Sequence, residues 1–213
     1  MKLYSDSAYA AKCDLTEGDS QAVRDLARGH RATSPFRLGK MRKTCPVAFQ
    51  IDQLSVNIYP TRAEMGRAAG SAAAAHLREL LAGGREAAAI FASAASQVEC
   101  LAALRAEPGI DWPRVTAFHM DEYVGMAESH PASFRRFIRE NLLDLVPVKA
   151  FHGLRGEAPD PAAECRRYTA LLAGHRPGLV ILGIGENGHL AFNDPPVADF
   201  HDPLVVKEVR LDD

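Results

Sequence analysis

From Leu54 onward, short apolar runs alternate with longer segments of helical period, and that alternation restricts the fold more than any other property of the chain. Residues 55–59, 87–92, 114–120, 179–183 and 204–211 have the length and side chains of strands. Residues 61–81, 96–104, 133–143 and 160–172 read as helices. Thr61 and Glu64 form a capping-box pair at the start of the first, whose apolar face is expected to be Met65, Ala68, Ala69, Ala72, His76 and Leu80. Ser96 and Glu99 suggest a second box, and Asp160 before Pro161 marks a cap followed by proline at the first helical position. Repeated βα units with near-continuous apolar strands predict an α/β fold, a parallel sheet with helices on both faces.

Such sheets bind ligands at the carboxyl ends of their strands. Three turns follow strand ends and carry small or polar residues: Ser93, Ala94, Ala95 and Ser96; Asp121 to Gly125; and Gly185 to His189. All three are expected on one sheet edge, where they can share a pocket.

Residues 1–50 stand apart. They show no sustained period and hold a basic tract (Arg28, Arg31, Arg37, Lys40, Arg42, Lys43) with no acid inside it. The reading is a poorly ordered basic extension ahead of one α/β domain over 51–213. A nucleic-acid patch is the competing reading, but aromatic residues to stack on bases are scarce there. The formal charge of −2 gives no reason for a global nucleic-acid or membrane partner. The four cysteines are scattered, form no C-x-x-C pair, and favour a reducing, cytoplasmic setting without a metal site. No apolar run approaches the ~20 residues that span a bilayer.

His189 follows a glycine turn with Asn187 and Asp194 near it in sequence. Imidazole titrates near neutrality and can accept and return a proton, and the two neighbours can orient it; the plainer alternative is turn chemistry. Asp121 and Glu122 end an apolar strand, and with a facing histidine they supply a base for a carbon-bound proton. That division suits an aldose–ketose isomerisation. The turn at 93–96 would expose N–H groups at a helix start, which suits a phosphate, although plain capping explains it too. Gly183, Gly185 and Gly188 match a dinucleotide fingerprint, with Glu208 downstream, but Pro195 and Pro196 would end the long helix that motif requires.

Phe118-His-Met-Asp-Glu-Tyr-Val-Gly125, His130-Pro131 with Ser133, and Leu182-Gly-Ile-Gly-Glu-Asn-Gly-His-Leu-Ala-Phe-Asn-Asp-Pro195 resemble the glucosamine-6-phosphate deaminases of the glucosamine/galactosamine-6-phosphate isomerase superfamily. The resemblance spans about residues 54–213. It implies a Rossmann-like sheet and conversion of glucosamine 6-phosphate to fructose 6-phosphate and ammonia, with no cofactor. A phosphorylated amino sugar would be the partner, and a homo-oligomer is compatible with it. Asp121 would take the C2 proton of the opened sugar, and His189, supported by Asn187 and Asp194, would help open the ring. Ser93, Ala94, Ala95 and Ser96 would hold the phosphate, with Glu122 and Gly185 lining the substrate site.

Where the resemblance implies glycines in the phosphate loop, this chain has Ala94 and Ala95. Asp194 stands at a usual Glu, and one methylene less would retract the carboxylate by about 1.5 Å. Related 6-phosphogluconolactonases typically carry Asp-Glu-Arg at Asp121-Glu122-Tyr123. Family members continue for roughly another third of the domain, so a chain stopping at Asp213 is expected to leave a sheet edge uncovered and to turn over weakly or not at all. Another sugar-phosphate isomerase, a 6-phosphogluconolactonase-like hydrolase and a non-catalytic sugar-phosphate-binding protein are the alternatives.

Overall fold

The computed structural model describes residues 7–11, 47–51, 54–185 and 187–211. In chain order its elements are β1 (Ser7–Ala11), β2 (Val47–Ile51), β3 (Leu54–Ile58), α1 (Arg62–Leu81), β4 (Ala87–Phe91) and α2 (Val98–Ala106). There follow β5 (Val115–His119), β6 (Asp121–Tyr123), α3 (Phe134–Ile138), β7 (Ala150–His152), α4 (Pro161–His175), β8 (Leu179–Ile181) and β9 (Val206–Arg210). A π-helical turn, Arg139–Leu143, prolongs α3. The basic tract of residues 28–43 lies outside the described residues, whereas Ser7–Ala11 and Val47–Ile51 are strands.

β7, β5, β4 and β8 form a parallel sheet in that order. β4 and β5 are buried at every position, because helices cover both faces. Side chains alternate across the sheet. Ala87, Ala89 and Phe91, with Val115 and Ala117, pack against Leu77 of α1, Leu101 and Leu104 of α2 and Ile138 of α3. Ala88, Ile90 and Phe118 face the other way, onto Tyr168 and Leu172 of α4. Each large apolar side chain taken fully from water there contributes about 1.5–3 kcal/mol.

The expected α/β layering is present, with three differences. β3 pairs antiparallel with β2, and β9 pairs antiparallel with β1, which lies between β6 and β9; neither joins the parallel sheet. β7 supplies the fourth parallel strand instead. The buried face of α1 is Gly66, Gly70, Ala73, Ala74, Leu77 and Leu81, one position away from the expected face, and Met65 is 41% exposed. Close approach decides this: a Cβ on Gly70 would lie 2.6 Å from Ala103 Cβ and 2.7 Å from Leu104 N, so glycine lets α1 lie directly on α2. Thr61 caps α1 as expected and Asp160 caps α4. Ser96 caps nothing; it sits inside a 3-10 turn, and Glu99 is held by Arg62.

The chain leaves β4 towards β5 and β7, then returns to the opposite side of β4 as β8. Connections therefore diverge around the carboxyl end of β4, and the crevice formed by that reversal is the ligand position favoured in open parallel sheets.

Candidate active site

The carboxyl ends of β4, β5 and β8 stand side by side, tied by Met120 N–H to Phe91 O (3.2 Å) and Ala92 N–H to Ile181 O (2.9 Å). This sets the 93–96 turn, Asp121 and the start of the 183–194 loop along one edge of the sheet, where the sequence places them.

Asp121 opens β6 with its side chain 8% exposed. Burial, reinforced by the adjacent Glu122 carboxylate, pushes its carboxyl up to about 8. No described residue gives that carboxylate a hydrogen bond. Glu122 is built the opposite way. It is fully buried and accepts the Ser133 hydroxyl (2.8 Å), the N–H groups of Phe134 and Arg135 (both 3.1 Å) and Arg135 Nε (3.2 Å). Its negative charge thus neutralises the start of α3 and the buried Arg135 guanidinium, which also reaches Glu157 at 2.5 Å. With its oxygens so occupied, Glu122 has little capacity left for a ligand, in contrast to the substrate-lining role expected of it.

The 183–194 loop gathers four of the expected residues. His189 Nδ1 lies 2.8 Å from both Asn187 Oδ1 and Asp194 Oδ1, and Asn187 Nδ2 donates to the same Asp194 oxygen at 2.8 Å. Two acceptors on Nδ1 fix the proton there and leave Nε2 as the basic nitrogen. The shorter Asp194 side chain does reach the imidazole, because the loop turns back at Asp194, whose carbonyl accepts from Val197 and Ala198 N–H. The ring lies flat on Gly185: a Cβ there would be 2.3–2.5 Å from its Cε1, Nε2 and Nδ1. Asn193 has a turn role, donating to Leu190 O at 3.0 Å.

At the 93–96 turn Ser93 is buried and donates to Phe134 O (3.2 Å), while Ala94, Ala95 and Ser96 are exposed. An aromatic trio binds the parts together: Tyr123, Phe134 and Phe192 have ring centroids 5.0–5.7 Å apart and connect β6, the start of α3 and the His189 loop. No described hydrogen bond joins Asp121 to His189; the two stand at the ends of β5 and β8, on either side of β4.

Sequence reasoning passed over Arg135 and His119. Arg135 has no local signal, since its partner Glu122 lies thirteen residues upstream. His119 is fully buried, accepts Leu154 N–H at Nε2 (2.8 Å), and is pushed down to about 3, chiefly by burial and then by Arg135, so it stays neutral and structural.

A family model described as glucosamine-6-phosphate isomerases/6-phosphogluconolactonase matches residues 60–203. The chain belongs to that family. Within it, a glucosamine-6-phosphate deaminase of Exiguobacterium sp. is 46% identical over 92 residues, 43% of this chain and 36% of the relative. One from Streptococcus suis is 40% identical over 119 residues, 56% of this chain and 50% of the relative. The chain thus spans half or less of the length of these relatives. Among solved structures, a monomeric glucosamine-6-phosphate deaminase superposes with a TM-score of 0.57 at 24% identity, over 63% of this chain and 57% of that one. A 6-phosphogluconolactonase from Shewanella baltica gives 0.54 at 24%, over 62% and 57%. These likenesses establish the family's α/β fold. No described helix is long and apolar enough to cross a membrane.

Proposed function

We propose that the crevice at the ends of β4, β5 and β8 carries out deamination with aldose–ketose isomerisation of an amino-sugar phosphate, glucosamine 6-phosphate to fructose 6-phosphate and ammonia. The observation that carries this reading is the pairing of two different proton carriers across one crevice: a buried, unbonded carboxyl at Asp121 and an imidazole whose Nδ1 is locked by Asn187 and Asp194. His189 Nε2 takes the proton of the anomeric hydroxyl as the ring C–O bond breaks and returns one to the ring oxygen. Asp194 supplies the charge that stabilises the imidazolium, which Asn187 cannot, and Asn187 holds both groups in register. Asp121, in its ionised form, removes the C2 proton of the open aldehyde while the C1 oxygen takes a proton from the neighbouring ammonium group, giving an enol at C1–C2. Reprotonation at C1 leaves an imine carbon at C2, and water replaces nitrogen there as ammonia.

The 93–96 turn at the start of α2 is the site for the phosphate, and Glu122 serves by holding the start of α3 beside Asp121. The deaminase names of the relatives support this choice within a family whose description also includes lactonases. The test is ammonia and fructose 6-phosphate formation by the 213-residue chain and its Asp121→Asn and His189→Gln variants. Slow turnover lost in both variants is expected. Turnover that survives either substitution, or hydrolysis of 6-phosphogluconolactone in its place, would overturn the reading.

A further inference from the structure

Between the turn after β4 and the loop after β8 lies a polar contact that this chemistry does not use. Gln97 is 5% exposed, and its carboxamide lies between the two segments. Its Nε2 donates to Ser96 Oγ at 3.1 Å, while its Oε1 accepts no hydrogen bond from a described residue. The side chain is aimed at the crevice: a Cβ on Gly183 would lie 3.2 Å from Gln97 Nε2 and 3.4 Å from Ser96 Oγ. Two residues further along that loop, Gly185 lies under the His189 ring.

On the other flank of the turn, Arg62 donates to Ala95 O and pairs with Glu99 at 2.6 Å, placing a cation beside the exposed residues 94–96. The crevice therefore runs from a cation and an exposed turn, past the Ser96 hydroxyl and the Gln97 carboxamide, to the imidazole. Ala94 and Ala95 put methyl groups where an anion would otherwise meet bare backbone, and Gln97 N–H is already committed to Ala94 O at 2.9 Å. Side-chain groups have to do more of the recognition in such a turn.

We propose that Gln97, supported by Ser96, is a specificity-determining contact that reads a hydroxyl of a sugar phosphate, between its anionic end and its reacting end. The Oε1, which no described residue bonds, accepts the ligand's O–H. This rests on the reading of the crevice as a sugar-phosphate site.

The experiment is calorimetric titration of the full 213-residue chain, its Gln97→Leu variant and its Ser96→Ala variant with glucosamine 6-phosphate and, separately, with inorganic phosphate. Loss of one neutral hydrogen bond should weaken glucosamine 6-phosphate about fivefold in Gln97→Leu while leaving inorganic phosphate within about twofold. Ser96→Ala, at an exposed position of the phosphate turn, should weaken both ligands, which leaves Gln97→Leu as the variant that decides. Equal weakening of both ligands in that variant, or no weakening, would overturn the role of Gln97 and leave the proposed reaction standing. A wild-type chain that binds inorganic phosphate but not glucosamine 6-phosphate would overturn both.

Discussion

Asp121→Asn exchanges a carboxyl for a neutral group of the same shape, and its effect on stability should depend on pH in one direction only. The Asp121 carboxyl moves from 3.8 to about 8 on folding, first because it is buried and second because Glu122 adjoins it. Between those two values the native state keeps a proton that the unfolded chain has released. A state that binds more protons is favoured by acid, so this residue's effect on stability becomes steadily less favourable as pH rises from about 4 to about 8 and is fully expressed above that. At 1.36 kcal/mol for each tenfold change in proton affinity, the whole interval would amount to about 6 kcal/mol. Asp121 retains 8% exposure, and water and local relaxation at such a position act as a higher dielectric, leaving about 2–3 kcal/mol. Urea denaturation of both proteins should give matching midpoints near pH 4 and a midpoint about 1 M higher for the variant near pH 9. The other titrating groups are common to the two proteins and largely cancel in the difference. A difference that stays constant across this range, or a variant that is the less stable protein in alkali, would refute the assignment of a buried, proton-retaining carboxyl to Asp121.

Gly185→Ala should push the imidazole off its Nδ1 partners, since the added Cβ would lie 2.4 Å from Nε2; ammonia release should fall about a hundredfold, read as kcat. Arg135→Met leaves the Glu122 carboxylate buried without its cation and should cost about 3–5 kcal/mol in urea denaturation at neutral pH. Arg176 ends α4 with φ 47°, a left-handed conformation that glycine adopts without strain. Arg176→Gly should therefore stabilise by about 0.5–1 kcal/mol, seen as a rise of about 2 °C in Tm.

What the sequence disclosed follows from where one force dominates. β4 and β5 were legible because strands buried on both faces must be apolar throughout, and α4 because its cap and first-turn proline act locally. The face of α1 differs from the expected one by one position because its alanines make most of the surface equally apolar. The signal lay in Gly66 and Gly70, one turn apart, which mark where another helix comes close. The expected capping box at Ser96 fails because Arg62, far upstream, holds the Glu99 carboxylate. β6 and β7 are three residues each, too short for a period to show. At the site, the His189, Asn187 and Asp194 group could be anticipated because it closes within one loop. The Glu122 and Arg135 pair could not, because only the folded chain brings its members together.

Gly185 and His189 occupy one volume between them: the imidazole fills the space that a side chain at 185 would take. Selection cannot act on either position alone. A lineage that no longer needed the imidazole would shrink or turn residue 189, and only then would position 185 be free to gain a side chain. Descendants of this chain should thus lose the glycine after the histidine and not before it, so the order of two substitutions would date the end of any proton chemistry at the imidazole.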